Sequence, residues 1–183
     1  MRWTFEPGHS AAEFRARHMM VTWVRGAFKN IRGQLEFDPD SPAQFSVETS
    51  IDATTCWTGE NARDEHLRSK DFLHCERFPE IHFKSTGTTQ IGPFDYAVTG
   101  ELTIKGVTRP VTLDVRYLGT WQTPWWEDGA DKGPKARAGF TAHARIDRYD
   151  FGVDWNSELV NGGIVVGREI DIIIDVEAIK EDR

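Results

Sequence analysis

The sequence predicts an all-β chain: one antiparallel sheet of about eight strands, with a single short polar helix. Three observations carry this expectation. Apolar and polar residues alternate with period two through most of the chain, the pattern of strands with one buried and one wet face. Gly- and Pro-containing turns punctuate the runs, as tight connections require. Runs apolar on both faces, which parallel strands buried on both sides would show, are not the rule.

The strands are read in chain order. Ser10 to Arg17 places Ala12, Phe14 and Ala16 on one face. Ile31, Gly33, Leu35 and Phe37 alternate with Arg32, Gln34, Glu36 and Asp38, and Phe45, Val47, Thr49 and Ile51 with Ser46, Glu48, Ser50 and Asp52. A short run spans Ile81 to Ser85. Phe94 to Lys105 and Val111 to Tyr117 form a long pair around Gly106 and Pro110. The run to Ile146 carries Ala138, Phe140, Ala142 and Ala144 on one face, and Ile170, Ile172, Ile174 and Val176 end the set. Gly119 to Pro134, with three Trp, reads as a long loop, and the segment from Thr58 to Leu73 as the helix, capped by Thr58.

Such a sheet either stacks as a sandwich or closes as a barrel. An eight-stranded barrel is filled by its own side chains or holds one small ligand. Small inward residues (Ala12, Ala16, Gly33, Gly100 and the alanines of 138–144) leave space, unless facing aromatic rings occupy it. Both outcomes remain open on pattern alone.

Composition narrows the function classes. The 183 residues carry a net charge of −7, so no fold-wide basic field awaits nucleic acid. The N-terminus shows no apolar segment of a secretory signal, and no run approaches a membrane span, so a cytoplasmic chain is expected. Cys56 and Cys75 are too few for a disulfide framework, and two reduced, partly buried thiols are expected. His66, His74 and His82 stand eight apart, with no HxxxH, HxH or CxxC spacing, so no metal or cofactor is expected. No GxSxG occurs, and Asn161-Gly162-Gly163-Ile164 lacks a following GK[ST]. Catalysis is therefore not expected.

Several groups carry two readings. Arg63 and Arg68 are either a clamp for an anionic head group or local partners of Asp64, Glu65 and Asp71. Met19 and Met20 offer an adaptable apolar surface or core filling. Trp121, Trp125 and Trp126 form a lid, a membrane-interface contact or a self-packed loop. Edge strands leave a homodimer open.

A series of motifs then becomes specific in combination: Gly8-His9-Ser10 through Phe14, His18-Met19, Gly26-Ala27-Phe28, Arg63-Asp64-Glu65-His66-Leu67-Arg68-Ser69-Lys70-Asp71-Phe72, Phe78-Pro79-Glu80-Ile81-His82-Phe83, Thr99-Gly100 through Val111, Ile146-Asp147-Arg148-Tyr149-Asp150-Phe151-Gly152, and Val166-Gly167-Arg168. Their order and spacing resemble the YceI-like family over nearly the whole chain. The resemblance implies one domain over residues 1–183, a lipocalin-like extended barrel that binds polyisoprenoid or similar long-chain amphiphiles in a central pore. The expected lining is Phe14, Phe28, Leu35, Phe37, Phe72, Phe83 and Phe140, with Arg63 and His66 beside it, and quinone or fatty-acid-like lipids are the other candidate ligands. The rival reading is a filled barrel that serves as a structural or stress-related interaction protein.

Overall fold

A computed structural model describes residues 1–41 and 45–181. Ten strands form one antiparallel sheet: β1 Arg2–Phe5, β2 Ala11–His18, β3 Thr22–Phe28, β4 Ile31–Glu36, β5 Ser46–Asp52, β6 Glu80–Gln90, β7 Asp95–Ile104, β8 Val107–Glu127, β9 Ala130–Asp147 and β10 Val166–Lys180. One α-helix, α1, spans Asn61–Arg68. The sheet runs β1-β4-β5-β6-β7-β8-β9-β10, and β10 pairs back onto β1, so eight strands close a barrel. Closure removes the exposed edges that an open sheet would leave.

The remaining two strands extend the wall at one end. One edge of β10 serves two partners in succession: Ala178 to Lys180 pair with β1, while Val166 to Asp175 pair with β2. A short 3-10 turn, Pro7–His9, separates β1 from β2, where proline has no N–H to give a ladder. The β2–β3 hairpin thus continues the barrel past β1 and β4. Beyond β3 the wall is held by a bridge in which Ala27 and Trp57 exchange backbone hydrogen bonds of 2.9 and 3.0 Å, and by Lys29, whose N–H donates to the Thr55 hydroxyl at 2.8 Å.

The strands β1 and β3 were not marked by the alternation, because β1 has four residues and β3 carries Gly26 and Ala27 in its pattern. The larger correction concerns residues 119–134, expected as a loop. They form the outer half of a β8–β9 hairpin. Asp128 and Gly129 both have positive φ (51° and 77°), the requirement of a two-residue type I′ turn. Pro124 lies opposite Pro134, so the two missing N–H groups fall at a single rung of the ladder. The helix is likewise shorter than expected. It ends where Ser69 turns extended and its hydroxyl donates to the His66 carbonyl. Thr58 is not its N-cap; Glu60 holds that position without a side-chain bond.

The barrel interior is divided along its axis. At the β1 end, Phe37, Phe45, Tyr96, Tyr117 and Phe140 pack ring on ring, with centroids 4.8 to 6.1 Å apart, the spacing of favourable aromatic pairs. Ala138, Ala142 and Ala178 are buried near this plug on β9 and β10. Trp3, buried behind it, donates its indole N–H to the Phe37 carbonyl at 3.1 Å. The alanines at this end therefore make room for rings.

Three glycines are filled in the same way. A Cβ on Gly26 would overlap the ring of Phe14, directly opposite on β2; on Gly100 it would overlap Phe83, and on Gly33 it would crowd Phe5. Each glycine is the seat of a ring from a neighbouring strand.

Phe140→Ala, which removes a ring packed on Phe37, Phe45 and Tyr117, should lower stability by about 3–5 kcal/mol. Chemical denaturation measures this, and a loss below about 1 kcal/mol would show that the plug does not hold the barrel closed.

Candidate functional site: an apolar cavity under a polar cap

The other half of the barrel is open inside. A cavity of about 180 Å³ lies between β2, β10 and the capping segments. Its wall is built by the inward positions of the strands beyond the plug: Ala12, Phe14 and Ala16 on β2, Ile170, Ile172 and Ile174 on β10, Leu102 and Ile104 on β7, and Ile81 and Phe83 on β6. Among its lining residues only Glu13 and Arg148 are charged. Ala12 and Ala16 face no plug ring here, and their small side chains do leave space.

The expected lining residues divide between the two halves. Phe14, Phe28, Phe72 and Phe83 line the cavity. Leu35, Phe37 and Phe140 do not: Phe37 and Phe140 belong to the plug, and Leu35 is buried beside it on β4 opposite Trp3. All three occupy inward strand positions, as the alternation requires, but at the filled end. Arg63 and His66 also lie outside the lining, in the cap.

That cap is α1 with the turn that follows it, which contributes Leu67, Phe72 and Leu73 to the cavity wall. Its polar side chains hold it together. Asp64 is 2% exposed and accepts hydrogen bonds from the backbone N–H of Thr58 (2.8 Å) and from the Thr58 hydroxyl. Arg63 donates from Nε to the Thr58 hydroxyl (2.7 Å) and from Nη2 to its carbonyl (3.1 Å). Arg68 donates to the Cys56 carbonyl at 2.9 Å. Both arginines bind backbone or hydroxyl oxygens of the cap rather than the expected carboxylates. His66 Nε2 lies 3.0 Å from Asp71, and its ring meets Phe72 and Trp155 edge-on at 5.0 and 4.7 Å.

Arg148 was not among the expected lining residues. It is 3% exposed and donates to three carbonyls, of Gly167 (2.9 Å), Val153 (2.6 Å) and Val166 (3.0 Å). Burial holds its pKa below the usual arginine value. Its guanidinium also stacks near Phe72 and Tyr149, at 5.9 and 4.8 Å. Arg148 thereby ties the 3-10 turn at Arg148–Phe151 to the start of β10. No sequence spacing signals this, since its partners are backbone atoms.

The two thiols are free and buried. Burial, with Asp64 adding to it, pushes the Cys56 thiol up to about 12, and burial raises Cys75 as well. Elsewhere, Glu6, His9 and Glu177 bring three donor atoms within 4.8 Å of one another. Arg137 pairs with Glu177 there, and the group pins the Pro7–His9 turn to β10.

A closed antiparallel barrel around a half-filled apolar interior defines the lipocalin-like class. The chain belongs to the YceI-like family, whose domain matches residues 3–178. Protein YceI of Escherichia coli O17:K52:H18 is 36% identical over 176 residues, covering 96% of this chain and 84% of that protein. The crystal structure of Burkholderia cenocepacia BcnA superposes with a TM-score of 0.77 at 25% identity, covering 94% of this chain and 98% of BcnA. A polyisoprenoid binding domain from Saccharophagus degradans shares the fold with a TM-score of 0.67 at 11% identity, covering 98% of each chain.

At pH 8 both thiols should be protonated and shielded, because only the thiolate reacts. A disulfide reagent should label neither in the native protein and both in denaturant. Rapid native labelling of Cys56 would contradict its placement in the cavity wall.

Proposed function

We propose that the chain binds a long-chain amphiphile (a polyisoprenoid, quinone or fatty-acid-like lipid) in this cavity, for carriage or sequestration and without catalysis. The observation that carries the reading is the cavity wall, apolar at nearly every position and closed at one end by the aromatic plug. Burial at roughly 25 cal/mol per Å² drives an apolar chain into such a space with no chemistry. The polyisoprenoid-binding neighbour, alike in fold, adds support.

The wall favours recognition of a tail over a head. Arg148, the buried charge in the lining, directs Nε, Nη1 and Nη2 each to a backbone carbonyl. Phe14, Phe28, Phe72 and Phe83 are the rings that would lie along the tail.

Organic extraction and mass spectrometry of the purified protein should yield a long-chain amphiphile at near-stoichiometric amount. Ala16→Phe narrows the cavity from β2 and should cut the bound amount and the affinity for a fluorescent fatty-acid analogue by at least about tenfold, on the scale of one displaced side chain. Unchanged binding by a folded Ala16→Phe protein would remove the cavity from the mechanism.

A further inference from the structure

The tip of the β2–β3 hairpin is built against turn chemistry. Met19 and Met20 both have positive φ, 46° and 64°, where asparagine or glycine is the favoured choice. Both side chains are exposed, as is Val21 at 80%. A second apolar tip lies beside the first. Met19 donates its N–H to the Val165 carbonyl at 2.8 Å, Met20 approaches Gly163, and Val160 in that turn is fully exposed. Solvent-exposed apolar groups at two adjoining tips mark an interaction surface.

Charge says what covers it. From Phe14 to Leu35 the chain holds Arg15, Arg17, Arg25, Lys29 and Arg32 and no carboxylate. This segment carries +5 in a chain of −7, which leaves the rest at −12. Arg15 and Arg17 flank the ring of Trp23 at 4.6 and 5.0 Å, and Arg25 stands directly opposite Arg15 across the hairpin. Apolar tips, an interfacial tryptophan and arginines whose stems reach past it match the layered chemistry of a lipid headgroup region. Arg15 is paired with Asp171 at 2.7 Å and Glu158 flanks the second tip, so Arg17 and Arg25 are the hairpin cations that add attraction to anionic lipid. The same hairpin carries Ala12, Phe14 and Ala16 in the cavity wall.

We infer that the β2–β3 hairpin docks the protein on an anionic lipid bilayer, with Met19, Met20 and Val21 entering the surface and Arg17 and Arg25 meeting lipid phosphates. Docking brings the cavity wall to the membrane, where apolar cargo resides. It needs no cargo to be observed, so it is tested separately from ligand binding.

The test is co-flotation of the purified protein with vesicles of phosphatidylcholine alone or mixed with phosphatidylglycerol, at low and raised salt. The wild type should float with the mixed vesicles, less at raised salt, and poorly with phosphatidylcholine alone. The double substitution Met19→Asn with Met20→Asn places residues suited to positive φ at both positions. It should keep or raise the melting temperature and reduce flotation at least about tenfold. Arg17→Glu with Arg25→Glu should abolish the preference for phosphatidylglycerol. The inference is overturned by a wild type that stays with the unbound fraction, or by an asparagine variant that floats as well as the wild type. It is also overturned if the hairpin binds a single-stranded oligonucleotide in preference to vesicles, or if sedimentation shows that the same substitutions dissolve a dimer.

Discussion

The structure depends on how one edge of β10 is shared. Its C-terminal end closes the ring through β1, and the longer remainder accepts β2. A single uninterrupted partner would make a uniform barrel. The break at Pro7–His9 instead lets the two ends of the wall differ. Where β1 and β4 complete the ring, aromatic residues fill it solid. Where β2 and β3 replace them, the wall is completed on one side by the Ala27–Trp57 bridge, side-chain hydrogen bonds such as that of Lys29 to Thr55, and the cap. Closure supplies stability, and the incomplete end supplies space.

The cap shows how a dense polar motif can be structural. Residues 63–72 hold many charges and read as a binding group, yet Asp64, Arg63 and Arg68 are committed to Thr58 and Cys56. A short helix of low apolar content has little to hold it against a sheet. Hydrogen bonds from charged groups to buried backbone atoms supply part of that attachment, each of the order of 1.5–3 kcal/mol. The apolar side chains the cap does carry, Leu67, Phe72 and Leu73, all face the cavity.

Much of this was legible in the sequence. Period-two alternation located eight of the strands and identified the inward faces correctly, including those of Phe14, Phe83 and Phe140. It carried no information on depth along the barrel axis, because every inward position looks alike. Hence Phe83 lines the cavity while Phe37 and Phe140 plug the opposite end. The glycines stayed open between two readings for a related reason: Gly33 and Gly100 signal missing volume, and only register shows that Phe5 and Phe83 supply it. The outer β8–β9 hairpin was hidden by its prolines, although Asp128-Gly129 announced its turn. Arg148 stood in a motif of the family resemblance, but its place in the cavity wall could not be read, since its partners are main-chain carbonyls.

The pairing of Phe14 with Gly26 reaches beyond this one molecule. Neither position is free to drift alone: a larger residue at 26 has no room while the ring is there, and a smaller residue at 14 leaves a groove that solvent or a ligand tail would enter. Among descendants of this chain, a change at one should be found beside a compensating change at the other, and the size of the pair would tune the width of the barrel's open end.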